Sequence, residues 1–265
     1  MSVLDNNLGR SERLNMAHLK TLNLLAALLS VFILYSPTAQ ADKLYVAGGC
    51  FWCVEADFER VKGVREVSSG FSGGDVAKPS YKQVTNGGTG HREAVEIDFD
   101  PSVISRATLI NMFLRSIDPT DEGGQFCDRG FGYSSAIYFA NNQEKAIAQR
   151  EVKNASIALG QKIVTPVVAF KNFYKAEDYH QDYYKGSKLI LTRFGPRTQA
   201  SAYKKYREAC GRDRRVKELW GPAAPFAKQS GVGSEIILYI LQIRNNISST
   251  LFGNHKRGCL CCEPR

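Results

Sequence analysis

Cys50 and Cys53 stand three residues apart in the run Gly48-Gly49-Cys50-Phe51-Trp52-Cys53. Two thiols at this spacing can form a dithiol–disulfide redox couple, supply half of a zinc site, or close a local disulfide. Zinc takes four ligands, and Cys127 and Cys210 are far apart in sequence, so redox chemistry is the stronger reading. The flanking residues give Cys50 the leading part. Residues 43–47 read as a short buried strand. Phe51, Val54, Phe58 and Val61 recur at three- and four-residue spacing, which predicts a helix from Cys50 to Lys62. Cys50 then sits where strand turns into helix, and the partial positive charge of a helix N-terminus favours the thiolate, the nucleophilic form of cysteine. Gly48 and Gly49 let the backbone approach a ligand closely. Phe51 and Trp52 offer an apolar wall suited to a thioether or alkyl group, and are equally compatible with core positions.

The elements around this turn alternate. Gly63 marks the helix end, and Val64 to Phe71 reads as a second strand. Ser72 to Gly90 is rich in Gly, Ser, Thr, Asn and Pro and reads as a loop carrying Tyr81. Ala94 to Phe99 alternates apolar and polar residues, the pattern of a half-buried strand, and Asp100-Pro101 ends it. Ser105 to Ser116 is an amphipathic helix with Leu109, Met112 and Phe113 on one face. Asp118 to Gly132 reads as loop, Ser135 to Ala140 as strand, and Asn142 to Leu159 as a long helix capped by Asn141. Val167 to Phe170 is a further strand, and Asp178 to Lys185 is aromatic and bears His180. This alternation argues for one α/β or α+β domain from Asp42 to about Trp220.

Three segments follow from composition: a leader over residues 1–41, a catalytic domain over 42–222, and an appended tail over 223–265. In the leader, Lys20 precedes an apolar run to Tyr35, and Ala39-Gln40-Ala41 follows. A positive start, a short apolar core and a small-x-small site describe a secretory signal peptide, with Met16 as an alternative start. The run is short for a membrane span, which needs about 20 apolar residues. The expected location is the periplasm or the exterior, with membrane anchoring if the leader stays uncleaved. In the tail, Ser230 to Gly233 reads as a linker, Glu235 to Arg244 as an isolated apolar helix, and Cys259, Cys261 and Cys262 as a Cys-rich end. Of 265 residues, 43% are hydrophobic and 23% charged, which excludes wholesale disorder. The net charge of +9 invites a nucleic-acid reading. The basic residues are scattered, however, and the densest group (Arg212, Arg214, Arg215, Lys217) stands in no nucleic-acid motif. Seven cysteines in an exported chain leave at least one thiol outside intramolecular pairs.

The sequence from Gly48 to Glu55 resembles the signature of the A-type peptide methionine sulfoxide reductases. The resemblance continues through Ser69-Gly70-Phe71-Ser72-Gly73-Gly74, Pro79-Ser80-Tyr81, Thr89-Gly90-His91-Arg92-Glu93-Ala94-Val95, Ile117-Asp118-Pro119-Thr120 and Gln125-Phe126-Cys127-Asp128-Arg129-Gly130. It ends with Tyr133-Ser134-Ser135-Ala136-Ile137-Tyr138 and Glu177-Asp178-Tyr179-His180-Gln181. It covers about Lys43 to Trp220. The fold it implies is α+β, a two-layer ferredoxin-like α/β plait with a mixed sheet and extended loops. The activity it implies is thiol-dependent reduction of methionine-S-sulfoxide, in proteins and peptides, with no metal or organic cofactor. Cys50 then becomes a sulfenic acid, the first rung of thiol oxidation. Glu93 supplies a proton to the sulfoxide oxygen, and Tyr81 and Tyr133 hydrogen-bond it. Asp128 orients the site, and Phe51 and Trp52 hold the methyl group. A second cysteine then closes a disulfide, which a thioredoxin-like dithiol opens. The resolving candidates are Cys53, Cys210 and Cys127, in that order. His180 reads as a structural histidine. A monomer is expected, with no nucleic-acid partner.

Two other readings stay open at this level. A thioredoxin-like oxidoreductase would use Cys-Phe-Trp-Cys with a cis-proline segment, for which Thr165-Pro166 is the candidate. A non-catalytic module would grip oxidised peptides through the aromatic pair.

Overall fold

The computed structural model describes residues 41–227. The leader and the linker, helix and Cys-rich end of the tail lie outside the described residues. The strands are β1 (Asp42–Ala47), β2 (Val64–Ser72), β3 (Arg92–Phe99), β4 (Gly124–Gln125), β5 (Asp128–Arg129), β6 (Ala136–Phe139), β7 (Val167–Ala169), β8 (Phe173–Lys175), β9 (Leu189–Thr192) and β10 (Gly195–Thr198). The α-helices are α1 (Phe51–Phe58), α2 (Tyr81–Thr85), α3 (Arg106–Leu114), α4 (Asn142–Leu159), α5 (Gln199–Ala209) and α6 (Arg212–Trp220). Six strands form a mixed sheet in the order β7-β6-β1-β3-β2-β8. Its one parallel pair among the described residues is β6–β7. Hairpins β4–β5 and β9–β10 stand apart from it.

Strand periodicity sorts the side chains by face. Along β3, Val95, Ile97 and Phe99 join one core with Phe51, Val54 and Phe58 of α1 and Leu109 and Phe113 of α3. The intervening Ala94 joins a second, smaller cluster with Ala47, Ala136 and Tyr138. Glu93 shares the parity of Val95 and is as buried as its apolar neighbours. The β3 register therefore delivers a carboxyl into the main core beside α1. A one-residue slip would turn it to the opposite face.

Most elements fall where periodicity places them, and the exceptions have local causes. Helix α1 stops at Phe58 rather than Lys62, because the chain folds back through Gly63, which has φ +96°. The 72–90 segment contains α2, started by a capping box in which Ser80 and Gln83 satisfy each other's backbone N–H. The 118–132 segment holds the β4–β5 hairpin. Residues 186–220, to which periodicity assigned nothing, form β9–β10, α5 and α6. Ala224, Phe226 and Ala227 are buried, with the Phe226 ring 5.3 Å from that of Phe58. The folded body thus crosses the 222/223 boundary that composition suggested. Every described peptide bond is trans, so Thr165-Pro166 does not supply the cis-proline segment.

Glu55 ties α1 to two other segments. It accepts hydrogen bonds from the Asp182 N–H at 2.9 Å and the Ser69 hydroxyl at 3.1 Å. Burial pushes its carboxyl up to about 8, against the lowering effect of those two donors. A carboxyl whose folded pKa lies above its unfolded value contributes stability that is full below the unfolded value and is lost as pH rises through the folded one. Thermal unfolding of the wild type is therefore expected to lose stability between about pH 4.5 and 8. Glu55→Gln, which cannot ionise, should lose less. Parallel slopes of melting temperature against pH for the two proteins would refute this.

Candidate active site

Cys50 is the N-cap of α1, 6% exposed. The turn that presents it requires both glycines. A Cβ on Gly49, at φ +79°, would lie 2.5 Å from Gln125 Cβ. One on Gly48 would lie 2.9 Å from the Phe113 ring. Gln125 is itself fixed, accepting from the Asp118 N–H and donating to the Asp118 carbonyl, both at 2.8 Å.

The Phe51 N–H, the first donor of α1, points at Glu93 Oε2 at 3.0 Å. Glu93 Oε1 has no hydrogen-bond partner among the described residues and is buried. Burial pushes the Glu93 carboxyl well above the usual carboxylate range, and the Asp128 charge pushes it further, against the lowering effect of the Phe51 N–H. Burial likewise raises Tyr81 and Tyr133 well above an ordinary phenol, with Glu93 the largest charge acting on each. The two hydroxyls hydrogen-bond each other. Tyr81 is set by its place as the first residue of α2. The loop leading to α2 is pinned by His91, whose Nδ1 accepts from the Gly74 N–H at 3.1 Å and whose Nε2 lies 2.8 Å from the Val76 carbonyl. Those partners assign the proton to Nε2.

The aromatic wall is larger than Phe51 and Trp52. Trp52 stacks on Tyr183 with ring centroids 3.8 Å apart, and Phe51 packs on Tyr81 at 6.1 Å. His180 lies within this group, 5.2 Å from Phe51 and 4.5 Å from Tyr81. Neither ring nitrogen has a hydrogen-bond partner among the described residues. Burial lowers it to about 4, so it is a neutral ring at physiological pH. It stands in the aromatic wall, with Glu177 Oε2 3.9 Å from its Nε2. The repeated aromatics of Tyr179-His180-Gln181-Asp182-Tyr183-Tyr184 were the signal for this; Tyr183 was not singled out from sequence.

Cys53 lies one turn along α1, its N–H donating to the Cys50 carbonyl at 3.0 Å. Its thiol is pushed well up, first by a hydrogen bond to Cys50 and then by burial. Neither Cys50 nor Cys53 is in a disulfide. Cys127 and Cys210 are bonded to each other, Cα to Cα 5.1 Å. The structure thus brings Cys50, Cys53, Glu93, Tyr81, Tyr133, Asp128, Phe51 and Trp52 together, and pairs the other two resolving candidates. Among the described residues the one compact acidic group is Glu55, Glu59 and Asp182. Lys185 already bridges Glu59 and Asp182, at 3.0 and 2.8 Å.

A thiol at a helix start, a buried carboxyl on the N–H of the residue that follows it, two phenols and an aromatic pocket are the makings of a thiol-dependent oxidoreductase that reduces a small polar group on an apolar substrate. Comparison with known proteins makes this specific. The family model for peptide methionine sulfoxide reductase matches residues 42–216. Peptide methionine sulfoxide reductase MsrA 2 of Rhizobium meliloti is 44% identical over 205 residues, 77% of this chain and 96% of that one. Its namesake in Caulobacter vibrioides is 40% identical over 202 residues, 75% and 96% of the two chains. Among solved structures, reduced Mxr1 of Saccharomyces cerevisiae and methionine sulfoxide reductase A of Corynebacterium diphtheriae each superpose with TM-score 0.53 at 30% identity. They cover 57% of this chain and 87% and 76% of theirs. The chain belongs to the peptide methionine sulfoxide reductase family, A type, and its activity is thiol-dependent reduction of methionine sulfoxide, a repair of oxidised protein.

The glycine requirement can be tested with a matched control. Gly87 has φ +82°, but a Cβ added there would meet only open space, so Gly87→Ala carries backbone strain alone, of order 1 kcal/mol. Gly49→Ala should cost about 1–3 kcal/mol more in denaturant unfolding and lose turnover as Cys50 is displaced. Equal stability of the two variants would show that Gln125 gives way.

Proposed function

We propose that Cys50 is the nucleophile and Glu93 the proton donor in reduction of the S epimer of methionine sulfoxide. The observation that supports this most is Glu93 Oε1, a buried carboxyl oxygen without a partner among the described residues, beside the Cys50 turn. A carboxyl kept protonated by its surroundings has a proton to give, and a sulfoxide oxygen is a poor leaving group until it takes one. The Cys50 thiolate attacks the sulfoxide sulfur. That sulfur gains two electrons: an S–S bond forms as the S–O bond breaks and the oxygen, protonated through Glu93, departs as water, and attack of water on Cys50 Sγ then breaks the S–S bond, releases methionine and returns a proton. The cysteine sulfur loses two and becomes a sulfenic acid. Tyr81 and Tyr133 donate to the oxygen as negative charge grows on it. Phe51, Trp52 and the rings behind them seat the methyl group, and Asp128 sets the local charge.

Cys53 is our choice of resolving cysteine, because its thiol already hydrogen-bonds Cys50 while Cys127 and Cys210 are occupied with each other. A dithiol protein of thioredoxin type reopens the Cys50–Cys53 bond. We read β1-α1-β2-β3-α3-β6, with its strands in the order β6-β1-β3-β2, as a ferredoxin-like plait. The charged start, apolar run and Ala-x-Ala of the leader support export.

Cys50→Ser should abolish dithiothreitol-driven reduction of a methionine-S-sulfoxide peptide, and Cys53→Ser should release one equivalent of methionine and then stall with a thioredoxin-type donor. Full cycling of Cys53→Ser would move the resolving role elsewhere. Glu93→Ala should slow the first turnover by about 10²- to 10⁴-fold. With the acid form active and its pKa raised, the wild-type rate should fall as pH rises through that raised pKa. Glu93→Gln, which keeps a donor but cannot ionise, should lose that alkaline limb. His180, neutral above about 4, should add no limb near pH 6.5.

A further inference from the structure

The aromatic wall runs out to solvent. His180, 2% exposed, packs its ring on those of Phe51 and Tyr81 and, with centroids 4.1 Å apart, on that of Tyr179. Tyr179 itself is 57% exposed. A single exposed aromatic is ordinary, but this one continues a wall that begins in the site, and it stands among unmatched polar groups. Asp178–His180 is one 3₁₀ turn with Glu177 at its N-cap. Gln181 fixes that turn to β2. Its Oε1 accepts from the Ser69 N–H, and its Nε2 donates to the carbonyls of Ser69 and Ala176, all at 2.9 Å. Neither Glu177 nor Asp178 has a Lys or Arg partner among the described residues. Glu177 Oε2 is buried with no hydrogen-bond partner among them, as are both nitrogens of His180. Glu177 Oε2 lies 3.9 Å from His180 Nε2, so the carboxylate favours the proton on that nitrogen and leaves Nδ1 as an acceptor. Buried polar atoms are nearly always satisfied. What is left over here is a set of acceptors and carboxylates beside an aromatic face.

The group that completes such a set donates hydrogen bonds, carries positive charge and has a flat face. A guanidinium meets all three demands: five N–H donors, a permanent charge and a plane that stacks on aromatic rings. We propose that the Glu177–His180 turn is a subsite for the guanidinium of an arginine that neighbours the oxidised methionine in the substrate polypeptide, with Tyr179 as its stacking face and Glu177 and Asp178 as its counter-charges. This rests on the reading of Phe51 and Trp52 as the wall that seats the methyl group. The chain as a whole carries a net charge of +9, so its overall field disfavours basic substrates. The turn is a local exception beside the site, and it selects, among oxidised methionines, those flanked by arginine.

The test is reduction of glycine-rich peptides by the full chain with dithiothreitol. Each peptide holds one methionine-S-sulfoxide and, on its N-terminal or its C-terminal side, Arg, citrulline or Glu. Citrulline keeps the shape of Arg and loses its charge. At one of the two positions kcat/KM should be about three- to tenfold higher for Arg than for citrulline, expressed in KM, and lowest for Glu. The ratio should shrink at high salt and approach one in the double variant Glu177→Gln, Asp178→Asn. Tyr179→Leu should lower it as well. Leu191→Ser, which removes another exposed apolar side chain from the separate β9–β10 sheet, should keep it. Equal kcat/KM for Arg and citrulline at both positions in the wild type overturns the proposal without recourse to any variant. An Arg preference that persists unchanged in a folded double variant also overturns it. Each ratio compares two substrates on one protein, so a slower enzyme does not imitate the loss. Failure of the methyl-wall reading is seen separately, as an unchanged KM for the glycine-flanked peptide in Trp52→Ala.

Discussion

The bond from the Phe51 N–H to Glu93 joins the first turn of α1 to a middle strand of the sheet, beside the Cys50 turn. It is a contact between a helix donor that has no intrahelical partner and a carboxyl buried away from solvent. Each needs the other. Without Glu93 the Phe51 N–H would be buried and unsatisfied, and without the N–H the carboxyl would have no hydrogen-bond partner at all among the described residues. The β3 register, the two glycines and the packing of α1 on Val95 and Ile97 all serve to keep that approach. The single bond leaves the second carboxyl oxygen without a hydrogen-bond partner among the described residues, and burial raises the carboxyl's pKa.

The C-terminal helices hold this arrangement from behind. Arg207 of α5 reaches Asp57 on α1, Arg212 of α6 reaches the carbonyl of Gly48, and Arg215 bonds Asp118 at 2.7 Å. Asp118 in turn grips Gln125, against which Gly49 lies. The cysteine turn is therefore clamped between two charged contacts and one packed glutamine, each on a different segment. This explains how a strand-to-helix turn rich in glycine can present a side chain in one orientation.

Much of this was legible in the residues themselves. The 3.6-residue spacing of Phe51, Val54 and Phe58 placed α1, and the alternation of β3 placed its face. The family-like motifs named the residues that the fold then gathers. What escaped has identifiable causes. α2 is a single capped turn, too short to show periodicity, and only Ser80-x-x-Gln83 announced it. β8 has three residues. α5 and α6 are so polar that their buried faces rest on Ala202, Tyr203, Val216 and Trp220, too sparse a stripe to read. The pairing of Cys127 with Cys210 depends on the approach of α5 to the β4–β5 hairpin, which no local pattern encodes. Arg212 looked like one of a surface basic cluster because its burial is set by Gly48 and Phe126, far away in sequence.

The Cys127–Cys210 bond spans 83 residues, so it closes β6, α4, the two opposite edge strands β7 and β8 and the β9–β10 hairpin into one covalent ring. In the chain-entropy picture, a ring of that size removes about 4.5 kcal/mol of freedom from the unfolded chain, a large share of the roughly 5–15 kcal/mol margin typical of a domain. The molecule thus asks opposite things of its surroundings. With Cys53 as the proposed resolving cysteine, catalysis would require a reductant that reaches Cys50 and Cys53, while the endurance of the fold favours a setting that leaves Cys127 and Cys210 oxidised. A donor that discriminates between the two pairs keeps the enzyme both active and long-lived, whereas an indiscriminate small dithiol sustains turnover as it shortens the lifetime of the folded chain.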